Sequence, residues 1–404
     1  MSRFDLVVVG GGVVGLAVAF AALERNRRVR VVVVEKEDAC ARHQSGRNSG
    51  VVHSGIYYKP GSLKAQLCRE GRERLQRFCA EHGVPYEQCG KVIVATAPEE
   101  LPRLRSLHAR GLANGVPVRM LTAAEVSAIE PHVACLEGLH VPSTAIVDYN
   151  GVCRKLVELI RLHGGEVRVD TEVVNVRTEG GRAIVETTTG TLHSRWIVNC
   201  AGLHSDRVAQ LAGFKLEARI VPFRGEYYEL KPDRCALVNA LVYPVPDPNF
   251  PFLGVHFTRM IDGRVHAGPN AVLSLKREGY HRTAFNARDF IDTVTYQGFW
   301  RLAARHAAAG WGEIYRSFSQ RAFVHQLRRL IPAINEDDLV PAAAGVRAQA
   351  LRPDGSLVDD FLILRGPATI HVCNAPSPAA TAALEIGRRI LALLTDESSV
   401  VGKS

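Results

Sequence analysis

A glycine-rich turn between two valine-rich segments constrains the fold of this 404-residue chain more than any other feature. Two continuous apolar runs, Leu6–Gly10 and Val29–Glu35, flank a helical pattern over Val13–Arg25. Apolar runs of this kind are typical of strands that are buried on both faces of a parallel sheet. The strand–helix–strand order therefore predicts a doubly wound α/β unit at the start of the chain.

The turn itself has the GxGxxG spacing of a dinucleotide-binding motif. Gly10 permits a tight turn, Gly12 lets the backbone approach a pyrophosphate, and Gly15 lets the helix pack closely on the strand. The helix N-terminus then favours the phosphate charge. Glu35 follows about 20 residues later, where it can accept hydrogen bonds from a ribose diol and disfavours a 2′-phosphate. The motif predicts FAD or NAD rather than NADP.

Two further segments favour FAD over NAD. Residues 44–55 are mostly small and hydroxylic and end near His53, so their backbone N–H groups can pass a pyrophosphate and the edge of a flavin ring. A second turn, within residues 198–206, follows a predicted strand and carries Ala201 and Gly202. We expect this turn to lie against the dinucleotide.

Composition excludes several classes of protein. No apolar run approaches the ~18 residues that span a bilayer, and the N-terminus enters a strand at once, without a signal or transit segment. Nine scattered cysteines without CxxC or zinc spacing predict free thiols in a reducing cytoplasm and no metal site. The formal charge of +9 fits an anionic substrate, an acidic membrane surface or a solvated basic surface. Nucleic acid is disfavoured because the basic residues are not grouped with aromatic ones.

Later elements follow from local signals. A capping box at Thr122–Glu125 predicts a short helix. The other predicted elements are a helix over Gly151–His163, a strand over Glu166–Val176, a hairpin of Arg182–Thr188 and Thr191–Asn199, an apolar strand over Phe252–Phe257, helices over 285–331, strands over Ser356–Leu364 and Thr369–Cys373, and a closing helix over Ser377–Leu394.

The cofactor domain is predicted to be discontinuous. We assign residues 1–85, 145–212 and 335–404 to an FAD-binding domain, and residues 86–144 and 213–334 to a strand-rich substrate domain.

Several stretches resemble the D-amino-acid-oxidase/glycine-oxidase superfamily of flavoenzymes, and within it the enzymes that oxidise L-2-hydroxyglutarate. These stretches are residues 43–58, 221–227, 243–248, 251–258, 268–271, 276–280, 344–350 and 374–381. The resemblance implies an α/β (α+β overall), glycine-oxidase-like fold, in which a mixed-sheet substrate domain covers a Rossmann-type FAD domain. It also implies conversion of L-2-hydroxyglutarate to 2-oxoglutarate by hydride transfer from C2 to flavin N5.

The resemblance also implies the FAD-binding residues. They are Gly10, Gly12, Val13, Val14 and Gly15 at the pyrophosphate, Glu35 and Lys36 at the adenosine, Gln44, Ser45, Ser49, Gly50 and Val51 along the pyrophosphate and flavin, Val173 at the adenine, and Ser377, Pro378, Ala379, Ala380 and Thr381 at the flavin N1/C2=O edge. A helix N-terminus at this edge would stabilise an anionic reduced flavin.

Oxidation of a 2-hydroxy acid needs a base for the hydroxyl proton, and histidine suits that role near neutral pH. His53 is the first candidate, His256 the second and His371 the third. Each has a structural alternative, as a ring-edge donor or a satisfied core residue.

The substrate carboxylates need cations. The resemblance implies that Arg347 clamps the C1 carboxylate, a contact that suits a bidentate guanidinium. For the second carboxylate of a dicarboxylate substrate, Arg224, Tyr243, Tyr57 and Lys59 stay open as candidates.

Other functions remain alternatives. An amine or amino-acid oxidase of glycine or sarcosine type would use the same fold. The electron acceptor is predicted to be quinone or oxygen. The helices at 285–331 carry Arg and aromatic residues, so they are a peripheral contact with the inner face of the cytoplasmic membrane, a subunit contact or an ordinary protein surface.

Overall fold

A computed structural model describes residues 3–247, 254–307, 310, 312 and 317–395. Its strands are β1 Arg3–Val9, β2 Val31–Val34, β3 Val51–Val52, β4 Tyr86–Glu87, β5 Val92–Ala95, β6 Arg119–Thr122, β7 Glu137–His140, β8 Ala145–Val147, β9 Glu166–Arg168, β10 Val173–Glu179, β11 Arg182–Thr187, β12 Gly190–Asn199, β13 Arg219–Gly225, β14 Tyr228–Leu230, β15 Leu241–Pro244, β16 His256–Arg259, β17 Val265–Gly268, β18 Val272–Leu273, β19 Leu339–Pro341, β20 Gly345–Leu351, β21 Leu362–Gly366 and β22 Thr369–Asn374. Its α-helices are α1 Val13–Arg25, α2 Leu63–His82, α3 Leu101–Ala113, α4 Ala123–Ile129, α5 Tyr149–Leu162, α6 Ser205–Leu211, α7 Ala287–Val294, α8 Gln297–Arg305, α9 Gln320–Arg328 and α10 Ala379–Thr395.

The first sheet is built around β1. It runs in the order β10-β11-β12-β1-β2-β9, and β22, itself paired with β21, lies beside the end of β12. The pairs of β1 with β2 and with β12, of β2 with β9 and of β12 with β22 are parallel. Both valine-rich strands are buried as predicted. The parallel arrangement brings the carboxyl ends of β1, β2 and β12 to one edge, where the glycine-rich turn lies.

Helix α1 covers this sheet together with α5 and α10, and its bounds match the predicted helix residue for residue. α1 and α10 approach closely: a Cβ atom on Gly387 would lie 2.6 Å from the carbonyl oxygen of Ala17. This packing places α10 against α1, so the segment before α10 reaches the same edge of the sheet.

A second sheet runs in the order β19-β14-β17-β16-β15-β5-β7-β6, and β13 pairs with β18 and β20 in a small third sheet. The segments of the first sheet fall within the three pieces assigned to the FAD-binding domain. β19 lies in the third piece by number but pairs with β14 of the second sheet. The domain division therefore stays a proposal.

The predicted strand Glu166–Val176 is wrong as a continuous element. It forms β9 and β10, and the chain between them leaves the sheet to follow the end of β2. Asp170, at φ 49°, donates its N–H to the carbonyl of Glu37, and Thr171 donates to the carbonyl of Glu35.

Two other predictions need correction. Residues 285–331 are not continuously helical, because extended backbone at Tyr296 separates α7 from α8; residues 308–309, 311 and 313–316 lie outside the described residues. The strand predicted over Ser356–Leu364 begins only at Leu362, since Val358 instead donates its N–H to the carbonyl of Ala350.

The capping box and the hairpin are confirmed: Thr122 and Glu125 exchange hydrogen bonds, and β11 pairs antiparallel with β12. The apolar strand predicted over residues 252–257 begins at His256, and its first two residues lie outside the described part. No helix within the described ranges combines the length and apolar character needed to cross a membrane.

Candidate active site

One cavity of about 1130 Å³ extends from the glycine-rich turn to the second sheet. That volume exceeds the usual range for a drug-sized ligand, about 300–1,000 Å³, as a dinucleotide together with a small substrate requires. The predicted cofactor residues that line it are Gly10, Gly12, Val13, Val14, Glu35, Lys36, Gln44, Ser45, Ser49, Val51, Val173, Ala201, Gly202, Ser377, Pro378, Ala379, Ala380 and Thr381.

The glycines of the turn have different roles. A Cβ on Gly10, at φ 105°, would lie 2.6 Å from the carbonyl oxygen of Cys200, and one on Gly15 would lie 2.0 Å from that of Gly10. These two glycines therefore hold strand and helix together, and Gly15 does not face the cavity. A Cβ on Gly12 would meet only the Ser45 hydroxyl, at 3.2 Å. Gly12 thus leaves open space toward the cavity, as a pyrophosphate needs.

The start of α1 offers donors to an anion. Gly12 is its N-cap and provides no side-chain cap, and Val13 and Val14 of the first turn line the cavity. The Ser45 hydroxyl accepts from Val13 N–H at 2.8 Å. Glu35 is buried, accepts from Gly11 N–H at 2.7 Å and ends at the cavity wall. A helix N-terminus beside a fixed carboxylate fits the pyrophosphate and ribose of FAD.

Hydrogen bonds join three distant segments along the cavity. His53 N–H donates to the Thr381 hydroxyl at 3.0 Å, and Ala348 N–H donates to the Gln44 side-chain oxygen at 2.8 Å. Tyr149 also meets Thr381, at 3.3 Å between the two hydroxyl oxygens. These bonds join residues 44–55, β20 and the start of α10 into one wall of the cavity. Gly50 lies within the same segment but does not line the cavity.

Lys36 lines the cavity near the adenosine end, but its ammonium also lies 2.6 Å from the Glu278 carboxylate. Within the described residues Glu278 joins Glu37 and His43 in a group of metal-ligand type. Lys36 already supplies the cationic partner of this group.

His53 and His256 both reach the far end of the cavity. His256 Nδ1 lies 2.8 Å from the carbonyl oxygen of Gly254. Because a carbonyl only accepts, Nδ1 carries the proton and Nε2 keeps a lone pair. His53 Nδ1 is buried and has no hydrogen-bond partner within the described part of the chain.

Burial lowers the pKa of His53 to about 3, helped by the nearby charges of Lys91 and Arg347. Burial also lowers the pKa of His256 to about 3, against the opposing effect of its Gly254 hydrogen bond. Both imidazoles are therefore neutral near pH 7, the form in which a histidine accepts a proton. His371 lies outside this cavity, where its Nδ1 is 3.1 Å from the Asn199 amide nitrogen.

The structure places three of the five predicted substrate residues at the cavity and two outside it. Arg347, Tyr243 and Tyr57 line the cavity near the two histidines. Arg224 does not: it is buried behind the wall, 3.0 Å from Glu226 and bonded to the carbonyl of His281. Lys59 is exposed and also lies outside the cavity. Of the four residues predicted for the second carboxylate, Tyr57 and Tyr243 therefore remain as candidates.

Two residues at this wall were not predicted. Tyr227 lines the cavity and is hydrogen-bonded to Arg347. Lys91 is buried behind Tyr57 and Tyr243, with its ammonium 4.5 Å and 4.7 Å from their ring centroids. The sequence held one signal for the burial of Lys91. A lysine directly before the apolar run Val92–Ala95 enters the core with that run.

Curated proteins of known name are similar to this chain over nearly its whole length. An L-2-hydroxyglutarate dehydrogenase of Indibacter alkaliphilus is 50% identical over 386 residues, covering 95% of this chain and 97% of the relative. The protein of that name from Escherichia coli K12 is 42% identical over 389 residues, covering 96% and 92%.

Solved structures share the fold. L-α-glycerophosphate oxidase from Mycoplasma pneumoniae with FAD bound superposes with a TM-score of 0.81 at 24% identity, over 98% of this chain and 95% of that one. Glycine oxidase from Geobacillus kaustophilus gives 0.75 at 18% identity, over 100% and 97%. The predicted glycine-oxidase-like fold is confirmed. The DAO family model, described as FAD dependent oxidoreductase, matches residues 5–393, so the chain belongs to the DAO family of FAD-dependent oxidoreductases.

Proposed function

We propose that this protein oxidises L-2-hydroxyglutarate to 2-oxoglutarate with FAD as its cofactor. The observation that carries the proposal is the placement of two neutral histidines and Arg347 at one end of a dinucleotide-sized cavity. The names of relatives at 42–50% identity over nearly the whole chain support the same substrate. When bound, FAD supplies the acceptor for the hydride that leaves C2. The chain itself must bind the carboxylates and remove the hydroxyl proton.

The hydroxyl proton is taken by a histidine. The Gly254 carbonyl fixes the tautomer of His256 and leaves its Nε2 as the proton acceptor, while its ring stacks on Tyr243 with centroids 3.9 Å apart. His53 has no such fixed tautomer, although its backbone is held by Thr381. This difference favours His256 as the base and His53 as a hydrogen-bonding neighbour, the reverse of their order by sequence.

The C1 carboxylate is held by Arg347. Its strand β20 pairs with β13 in a register that sets Arg347 opposite Phe223, so its backbone position is fixed. A guanidinium forms two parallel bonds to a carboxylate and thereby orients C2 as well as binding it. Arg347 also acts electrostatically on both histidines, lowering the pKa of each, so it helps to keep the base neutral before substrate arrives.

We also propose that electrons leave the reduced protein to quinone or oxygen, and that the protein works in the cytoplasm with peripheral contact to the inner membrane face. The support is the exposed apolar side chains on or directly before α7 and α8: Phe285, Ile291 and Trp300 are 57%, 54% and 58% exposed. Arg288 and Arg301 lie on the same two helices. Apolar groups with adjacent cations suit the surface of an anionic membrane.

Vesicles test the membrane contact. We expect the protein to co-sediment with vesicles that contain anionic lipid, more weakly as salt rises, and Trp300→Ser to weaken the association. An absence of co-sedimentation at low salt would contradict the contact, and the surface would then be an ordinary protein surface.

Substitution of the two histidines identifies the base. His256→Ala should lower the rate of flavin reduction by about 10²–10⁴ with little effect on substrate binding, whereas His53→Ala should cost much less. Because the pKa of each imidazole is lowered, the base form persists on the acid side of neutrality. Wild-type kcat/KM should therefore not fall between about pH 7.5 and about pH 5.5.

An acid limb in kcat/KM near pH 6.5, the ordinary value for histidine, would contradict the neutral-histidine account. Wild-type reduction rates in both variants would exclude either residue as the base.

Arg347→Met keeps the apolar stem but leaves the C1 carboxylate without its partner. A charge-assisted hydrogen bond contributes about 1.5–3 kcal/mol and a stranded buried charge costs about 3–5 kcal/mol, so kcat/KM should fall by roughly 10²–10³ or more. Arg347→Lys should recover only part of the loss. FAD content should stay unchanged, and Arg352→Met, at an exposed position just after the same strand, is the matched control. A near-normal kcat/KM in the Arg347→Met variant would move the clamp to another residue.

A further inference from the structure

Lys91 lies behind the substrate end of the cavity, directly before β5. Its side chain is 1% exposed, and its backbone is fixed by hydrogen bonds in both directions with Val141. The ammonium nitrogen lies 3.4 Å from the Tyr57 hydroxyl and faces the rings of Tyr57 and Tyr243. Within the described residues it forms no ion pair with a carboxylate.

A buried ammonium without a counter-ion destabilises a fold. Burial lowers the pKa of Lys91 to about 7, and the two aromatic faces offset only part of the lost hydration. A methionine would fill the same space without that penalty. The charge therefore finds its complement outside the free protein, in an anion that enters the cavity.

Tyr57 connects Lys91 to the cavity. Its hydroxyl oxygen accepts from the Lys91 ammonium, so its own hydrogen is free to be donated to a ligand. Burial raises the pKa of Tyr57 well above its usual value, which keeps that hydrogen in place. Lys91 also acts electrostatically on His53 and His256, so its field reaches the reacting end of the cavity.

We propose that Lys91, acting through Tyr57, selects a dicarboxylate substrate by positioning and binding its second carboxylate. Lys91 is a positioning residue, since Tyr57 lines the cavity and Lys91 does not. Arg347 binds the carboxylate next to the reacting carbon, and the Lys91–Tyr57 pair binds the distal one. The inference rests on the proposed function and adds the origin of its substrate selectivity.

Neither of the other two predicted cations is placed to bind the distal carboxylate. Arg224 is already paired with Glu226, and Lys59 is exposed outside the cavity. A 2-hydroxy acid with a single carboxylate would pair with Arg347 alone and leave the Lys91 charge uncompensated. Discrimination between one and two carboxylates therefore depends on Lys91.

The test compares L-2-hydroxyglutarate with its 5-amide, which has nearly the same size and one negative charge fewer. In Lys91→Met, kcat/KM for the diacid should fall about 10- to 100-fold, mainly through KM, while that for the amide changes less than about threefold. Tyr57→Phe should have a similar effect, and the double variant should lose little more than either alone. Lys215→Met, at an exposed position, should leave the ratio of the two substrates unchanged.

Binding gives a second measurement that needs no turnover. Glutarate should perturb the flavin spectrum of the wild type at lower concentration than butyrate does, and Lys91→Met should abolish this preference. FAD content should be retained, and the melting temperature should be equal or higher because an unpaired buried charge is removed.

If Lys91→Met changed kcat/KM equally for the diacid and the amide, so that their ratio stayed as in the wild type, the inference would be overturned. If the wild type prefers glutarate to butyrate but does not oxidise L-2-hydroxyglutarate, the proposed function fails while the selection of two carboxylates stands.

Discussion

The active site depends on a pair of hydrogen bonds between parts of the chain that are about 300 residues apart. His53 N–H donates to the Thr381 hydroxyl, and Gln44 accepts from Ala348 N–H. The first bond ties residues 44–55 to the start of α10, and the second ties them to β20, which carries Arg347. The residues proposed to hold the cofactor and the substrate thereby share one wall, which would orient the substrate against the cofactor.

Charge at the substrate end follows from this arrangement. Arg347 and Lys91 place two cations near two histidines, and burial together with these cations lowers the pKa of both imidazoles to about 3. Arg347, together with Lys91 in its protonated form, supplies positive charge that a dianion would compensate. Such a site favours small dicarboxylates and keeps its base unprotonated until they bind.

Local patterns were enough to predict the first elements of the chain. The glycine turn, α1 and the two valine-rich strands are each specified by residues close together in sequence, and their roles in packing are visible in the glycine contacts. The position of Lys91 at the active site could not be predicted from local patterns. Val92 pairs with Val242, some 150 residues away, and only this register brings Lys91 beside Tyr243. Arg224 was misjudged for a different reason: Glu226, just past the end of β13, pairs with its guanidinium and holds it away from the cavity.

The central claim is that the protein removes hydride from the L form of 2-hydroxyglutarate. It is tested most directly by mixing the FAD-loaded protein without oxygen with L-2-hydroxyglutarate, D-2-hydroxyglutarate, glycine and sarcosine in turn, and following the flavin absorbance. We expect L-2-hydroxyglutarate to bleach the flavin rapidly and the other three compounds to leave it oxidised on the same timescale. Bleaching by glycine or sarcosine with none by L-2-hydroxyglutarate would contradict the account and make the protein an amine oxidase of the same fold.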